Sequence, residues 1–146
     1  MQESLDQQLC KEFPKLFVNR YAPETETNMC WGFACGDGWY NIIHALCSNI
    51  QSHIDWRVKQ GQAITQVTVQ QVKEKFGTLR FYYDGGDDYI SGLVTMAETM
   101  SGHTCDVCGS PGQRSGGGWI RTLCSKHAEE VENERAKRMR ADGLEE

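Results

Sequence analysis

Apolar residues recur at helical spacing in three stretches of this chain and alternate in one. Leu5, Leu9, Phe13, Leu16 and Phe17 predict a first helix over residues 3–17, with Pro14 forcing a break inside it. Residues 18–30, with Pro23 and many Thr, Glu and Asn, read as a surface loop. The longest stripe follows: Trp39, Ile42, Ile43, Leu46, Cys47, Ile50 and Ile54 line one side of about four helical turns. Asp37 stands where it can cap that helix. Residues 63–72 are rich in β-branched side chains and predict a strand. Residues 78–83 predict a second, with Leu79, Phe81 and Tyr83 on one face and Arg80 and Tyr82 on the other. Lys73, Glu74, Lys75 and Gly77 lie between them, so an antiparallel hairpin is expected. Asp84, Asp87 and Asp88 then stand at the start of a third helix over about 88–100, where Ile90, Leu93, Val94 and Ala97 mark the buried side. Carboxylates at a helix start satisfy free N–H groups, and that role is preferred here to cation binding.

The pattern changes after Ser101. Aliphatic residues thin out while Gly, Cys and charged residues accumulate. Two regions are therefore expected: an α+β core domain over 1–100 and a small lobe over 101–146. The lobe carries the clearest chemistry. Cys105 and Cys108 form a CxxC pair, Cys124 and His127 form a CxxH pair, and fifteen residues separate the pairs. Zinc takes four soft or borderline donors in a tetrahedron, and each pair offers two from one tight turn. Gly109 permits the backbone of a metal knuckle. Residues 110–118 form turns, and residues 119–123 can be a short strand. A helix starting at Cys124 would carry the second ligand pair in its first turn. Knuckle, hairpin and helix in this order predict a treble-clef-like lobe holding one structural Zn²⁺. All four positions are protein ligands, and no His, Asp or Glu lies between residues 109 and 123, so neither an open metal position nor a His-metal nuclease is expected. Bound zinc contributes on the order of 10 kcal/mol of apparent folding energy to such a lobe.

Composition narrows the function classes. Fifteen basic against twenty acidic residues give a net charge of −5, which argues against a polybasic nucleic-acid coat protein. Three ligating thiolates against one dication would move that to about −6. The first ten residues show neither a basic segment nor an apolar core of a signal peptide, and no apolar run is long enough for a membrane span. Seven cysteines without an export signal speak against a disulfide framework. Three of them are explained by the metal site. Cys30, Cys35, Cys47 and His44 leave open a second metal site or, as the simpler reading, packing thiols. Trp31, Phe33, Trp56 and Tyr82 are candidate partner contacts, since aromatic residues dominate interface hot spots. Arg80 joins them, and with Tyr82, Lys73, Lys75 and Arg114 it offers a possible nucleic-acid face. The final helix, expected over 127–142, places Glu129, Glu130, Glu132 and Glu134 before Arg135, Lys137, Arg138 and Arg140. That order complements the helix dipole, and Val131 and Met139 are too few to make a buried stripe.

The stretches CGDGWYNIIHALCSNIQ, VKEKFGTLRFYYDGG, and CDVCGSPG followed by GWIRTLCSKHA resemble small zinc-binding proteins of unknown function encoded by tailed bacteriophages and prophages. The resemblance covers roughly residues 30–128. It implies a setting in the cytoplasm of a host bacterium, agrees with the four zinc ligands, and supplies no catalytic residue. The expected function is a non-enzymatic protein that binds and modulates or inhibits a host macromolecular complex, such as a defence system. A nucleic-acid-binding zinc-finger protein is the alternative, and an enzyme comes third.

Overall fold

The computed structural model describes residues 1–116, 118–141 and 143. Glu3–Glu12 forms α1, and Leu9 on its inner side is fully buried. The helix stops two residues before Pro14, earlier than the apolar spacing predicts, because a proline ring excludes the preceding residue from helix. Leu16 and Phe17 still reach the core, carried there by irregular turns. Residues 18–30 form the expected loop, closed by a single 3₁₀ turn at Asn28–Trp31. Arg20 ties it down, donating from Nε to Asp6 Oδ1 at 2.9 Å and from Nη1 to the Cys30 carbonyl at 2.9 Å.

Phe33–Ala34 forms β1, a strand too short to show in the apolar pattern. A 3₁₀ turn over Asp37–Trp39 leads into α2, Tyr40–Lys59, which buries Ile43, Leu46, Cys47, Ile50 and Ile54 as its stripe predicts. Asp37 is not its cap. The Asp37 carboxylate accepts the Gln2 N–H at 2.7 Å instead, because the intervening 3₁₀ turn sets it a turn too early.

The hairpin is displaced relative to its sequence reading. β2 spans Thr68–Lys75 and β3 spans Thr78–Asp84, so Lys73, Glu74 and Lys75 belong to the strand. The connection is only Phe76 and Gly77, both with positive φ (52° and 80°), a turn whose twist matches paired strands. Glu74 secures it by accepting the Gly77 N–H at 2.7 Å. β1 adds in parallel beside β2, pairing Phe33 with Val72, to give the order β1-β2-β3.

Asp88–Ser101 forms α3, with Asp87 as its cap, accepting the Ile90 N–H at 3.1 Å. This helix covers the outer edge of β3. Ser101 Oγ accepts the Leu79 N–H at 2.8 Å and Glu98 Oε1 accepts the Phe81 N–H at 3.0 Å, which satisfies an edge that would otherwise invite strand pairing. The core lies between α2, α3 and the inner sheet face, where Val69, Val72, Leu79 and Phe81 are buried. Each such side chain stabilises the fold by about 1.5–3 kcal/mol. The remaining elements are β4 (Gln113–Ser115), β5 (Arg121–Leu123), paired antiparallel, and α4 (Ser125–Ala141). Asp142, where the sequence reading ends the last helix, lies outside the described residues, as does Gly117 of the 110–118 turn. No helix among the described residues is long and apolar enough to cross a membrane.

Candidate metal centre

Backbone hydrogen bonds fold residues 105–112 into a tight loop before any metal is considered. The Gly109 N–H returns to the Cys105 carbonyl at 2.9 Å, with Gly109 at φ 78°, and the Cys105 N–H reaches the Ser110 carbonyl at 2.7 Å. These bonds turn the Cys105 and Cys108 thiols the same way. β5 brings the chain back, since the Asp106 N–H donates to the Thr122 carbonyl at 2.9 Å. Cys124 follows β5 directly and accepts the Ala128 N–H on its carbonyl at 2.9 Å, so it sits at the head of α4 with His127 in the first turn.

The four side chains converge. Their donor atoms all lie within 4.8 Å of one another. Cys108 Sγ and Cys124 Sγ are 3.9 Å apart, while His127 Nδ1 is 3.4 Å from Cys105 Sγ and 3.2 Å from Cys124 Sγ. A tetrahedron with metal–sulfur bonds of about 2.3 Å and metal–nitrogen bonds of about 2.0 Å has edges of about 3.8 Å and 3.5 Å. The cluster fits one metal ion of that coordination radius. Nδ1 of His127 faces the thiols, and Nε2 lies 3.8 Å from Glu130 Oε2, beyond hydrogen-bond distance. Cys105 is fully buried, and Cys108 is exposed. The side chain and backbone of Ser110 hydrogen-bond to the Cys108 sulfur and lower its thiol pKa to about 6, favouring the thiolate a metal needs.

The cluster is docked on the core through the segment before α2. The Gly38 N–H donates to the Asp106 carbonyl at 2.9 Å, and the buried Trp39 indole donates to the Thr104 carbonyl at 2.8 Å. A side chain on Gly36 or Gly38 would collide with the backbone of Asp106 and Cys105. From the other side, buried Thr122 donates to the Gly77 carbonyl at 2.6 Å and Arg114 to the Phe76 carbonyl at 2.6 Å. Arg121 holds the Asp106 carboxylate. The sequence marks Trp39 as core, Gly77 as part of the hairpin connection and Arg114 as a possible nucleic-acid contact, and none of these residues as a support of the metal centre. The one available signal was CGDGW, whose paired glycines before a helix mark a close backbone approach.

The other cysteines do not assemble with His44. His44 Nε2 pairs with Glu12 at 2.6 Å, Cys30 donates to the Thr27 carbonyl at 3.2 Å, and Cys47 is fully buried on the α2 stripe. Burial pushes the Cys47 thiol pKa up strongly and that of Cys35 to about 12, as for packed thiols.

Of the candidate contact residues, Trp31 and Trp56 are 68% and 54% exposed, and Tyr82 is also exposed. Phe33 must be removed from that set. It is only 4% exposed, because β1 pairs it with Val72 and turns its ring edge-on to Phe17, 5.1 Å away. Arg80 is half-buried on the outward sheet face with Tyr82, directly across from Lys73. Asp84 accepts a hydrogen bond from Gln70 Nε2 at 2.9 Å. Comparison with protein-family models, with curated proteins and with solved structures finds no match for this chain.

Proposed function

We propose that Cys105, Cys108, Cys124 and His127 hold one structural Zn²⁺, and that the chain is a non-enzymatic protein acting by binding a macromolecule. Knuckle, hairpin and helix then form a treble-clef-like lobe. In the bacteriophage setting that the resemblance implies, the bound macromolecule is a host complex such as a defence system, and the binding modulates or inhibits it in the host cytoplasm. The observation that carries the reading is the donor set. Four protein ligands at tetrahedral spacing leave no coordination position for water or substrate, so the metal's role is to fix the lobe. Exposed Trp31, Trp56 and Tyr82 supply the kind of side chain that anchors interfaces.

A second reading has its own observation. Lys73 and Arg80 face each other directly across β2 and β3, with Lys75 and Tyr82 on the same face. Like charges in that position destabilise a sheet, and a phosphate backbone would relieve them.

One experiment separates the two. The metal-loaded chain is titrated against purified host complexes recovered by affinity capture and, separately, against single- and double-stranded oligonucleotides over a salt series. Zinc at one ion per chain and a protein complex lost on W31A or W56A support the first reading. Affinity that falls steeply with salt, with a slope reduced by K73E and R80E, supports the second. Absence of stoichiometric metal from protein purified without chelator would sink the structural-zinc premise.

A further inference from the structure

α4 leaves the metal cluster and runs for about 25 Å without burying a single residue. A helix that is polar nearly all round needs a reason to exist as a helix. Apart from Lys126 in the first turn, its charges are sorted along the axis: Glu129, Glu130, Glu132 and Glu134 occupy the first half, Arg135, Lys137, Arg138 and Arg140 the second. Its apolar residues are not scattered either. Val131 and Met139 lie on the same side, both exposed, and with Trp119 they line an open groove of about 460 Å³ between α4 and the β4–β5 hairpin. Trp119 is 78% exposed, the most exposed large apolar side chain described.

We propose that this face of α4 pairs with a second copy of the chain, antiparallel, about a two-fold axis beside Arg135. The axis follows from the spacing. Val131 and Met139 stand four residues to either side of Arg135, so antiparallel pairing sets Val131 of one copy against Met139 of the other. The same operation sets Glu132 level with Arg138 of the other copy and lays each acidic half beside the other copy's basic half. The surface is thus complementary to itself, as an isologous dimer requires. A parallel pair would oppose acid to acid and base to base. Antiparallel pairing also aligns opposite helix dipoles. The two Arg135 side chains meet on the axis, with Glu132 and Glu134 of both copies within a turn. Trp119, beside the groove, closes over the helix of the second copy. Nucleic acid suits this groove poorly. Glu134 lines it with Arg135 and Arg138, and Arg121 at its wall is already paired with Asp106.

Sedimentation equilibrium of the metal-loaded chain tests this. A mass of twice the 16.5 kDa monomer is expected in low salt, with dissociation as ionic strength rises. Two swapped variants, R135E/K137E/R138E and E129K/E132K/E134K, should each weaken self-association by roughly tenfold or more. Mixed together, they should form a heterodimer. Helical circular dichroism and metal content identical to wild type exclude misfolding. A wild-type chain that stays monomeric in low salt overturns the proposal, as does a dimer indifferent to the swaps or a mixture that fails to associate. A monomer that binds oligonucleotides through Arg135 and Arg138 overturns it in favour of a phosphate-binding helix.

Discussion

Arg121 grips the Asp106 carboxylate with two N–H donors, Nε to Oδ2 at 3.0 Å and Nη2 to Oδ1 at 2.7 Å. Asp106 lies inside the knuckle, between Cys105 and Cys108, and is only 4% exposed. Arg121 opens β5, so this pair, beside the bond from the Asp106 N–H to the Thr122 carbonyl, ties together the two halves of the metal cluster. Removing the guanidinium leaves a buried carboxylate without its cation. R121A should therefore cost about 2–3 kcal/mol in denaturant unfolding and weaken metal retention in a chelator competition. R121K keeps the charge but loses the planar fork, so it should fall between wild type and R121A. An R121A chain with unchanged metal affinity would show that the two ligand pairs are held by other contacts.

Cys108 gives the metal-free cluster a chemical signature. Hydrogen bonds from the Ser110 side chain and backbone bring its thiol to about pKa 6. In metal-free chain whose lobe stays folded by circular dichroism, alkylation by iodoacetamide should reach half its maximal rate near pH 6 and level off above it. An ordinary cysteine reaches its half-maximum only near pH 8.5. Peptide mapping should find Cys47 unmodified in the folded chain, since it is fully buried and burial raises its pKa. Metal should protect Cys108. S110A should move the half-maximum upward.

What the sequence made visible, and what it hid, follows from range. The α2 stripe, the α3 stripe and the CxxC and CxxH pairs are local periodicities, and each is found where its spacing puts it. β1 has two residues, too few to alternate, so Phe33 looked like an exposed loop aromatic although its ring is edge-on to Phe17. The charged run Lys73, Glu74 and Lys75 has the composition of a turn, yet β2 continues through it. The positive φ of Phe76, which lets a two-residue turn close the strands, is not written in that residue type. The docking of the knuckle on Gly38 and Trp39 joins residues some 65 positions apart, beyond any local pattern. Trp39 was legible as core, but its indole N–H had no partner until the lobe was in place.

Asp87 predicts how the core responds to acid. Burial opposes ionisation of its carboxyl, but hydrogen bonds from His53 at 2.7 Å and from the Ile90 N–H, with the nearby Arg57, outweigh that and lower its pKa. A folded-state pKa below the unfolded value of about 3.9 means that the ionised group stabilises the fold above that pH. The contribution is lost as pH falls through the lowered folded value. D87A should cost about 1 kcal/mol at neutral pH. D87N keeps an acceptor for Ile90, so its deficit should be smaller and should narrow in acid. Thermal melts of the three proteins at neutral and acidic pH check this; a D87N deficit independent of pH would show that the charge contributes nothing.

Gly38 couples the metal cluster to the core. Its N–H donates to the Asp106 carbonyl, and its Cα hydrogens face the backbone of Cys105 and Gly109 so closely that no methyl group fits between them. G38A must push the knuckle away from the start of α2. That strains the Trp39–Thr104 hydrogen bond and the ligand spacing together, because both hang on residues 104–109. Overpacking of this kind costs about 1–3 kcal/mol. Here it should appear twice, as a lower melting temperature of the metal-loaded chain and as weaker metal retention. G92A is the matched control: Gly92 lies within α3 with nothing within 4 Å of an added methyl. It should stabilise the helix by about 0.5–1 kcal/mol and leave metal affinity unchanged. If G38A lowered stability but held metal as tightly as wild type, the lobe would bind its metal independently of the core. The docking surface at Gly36–Trp39 would then serve packing alone.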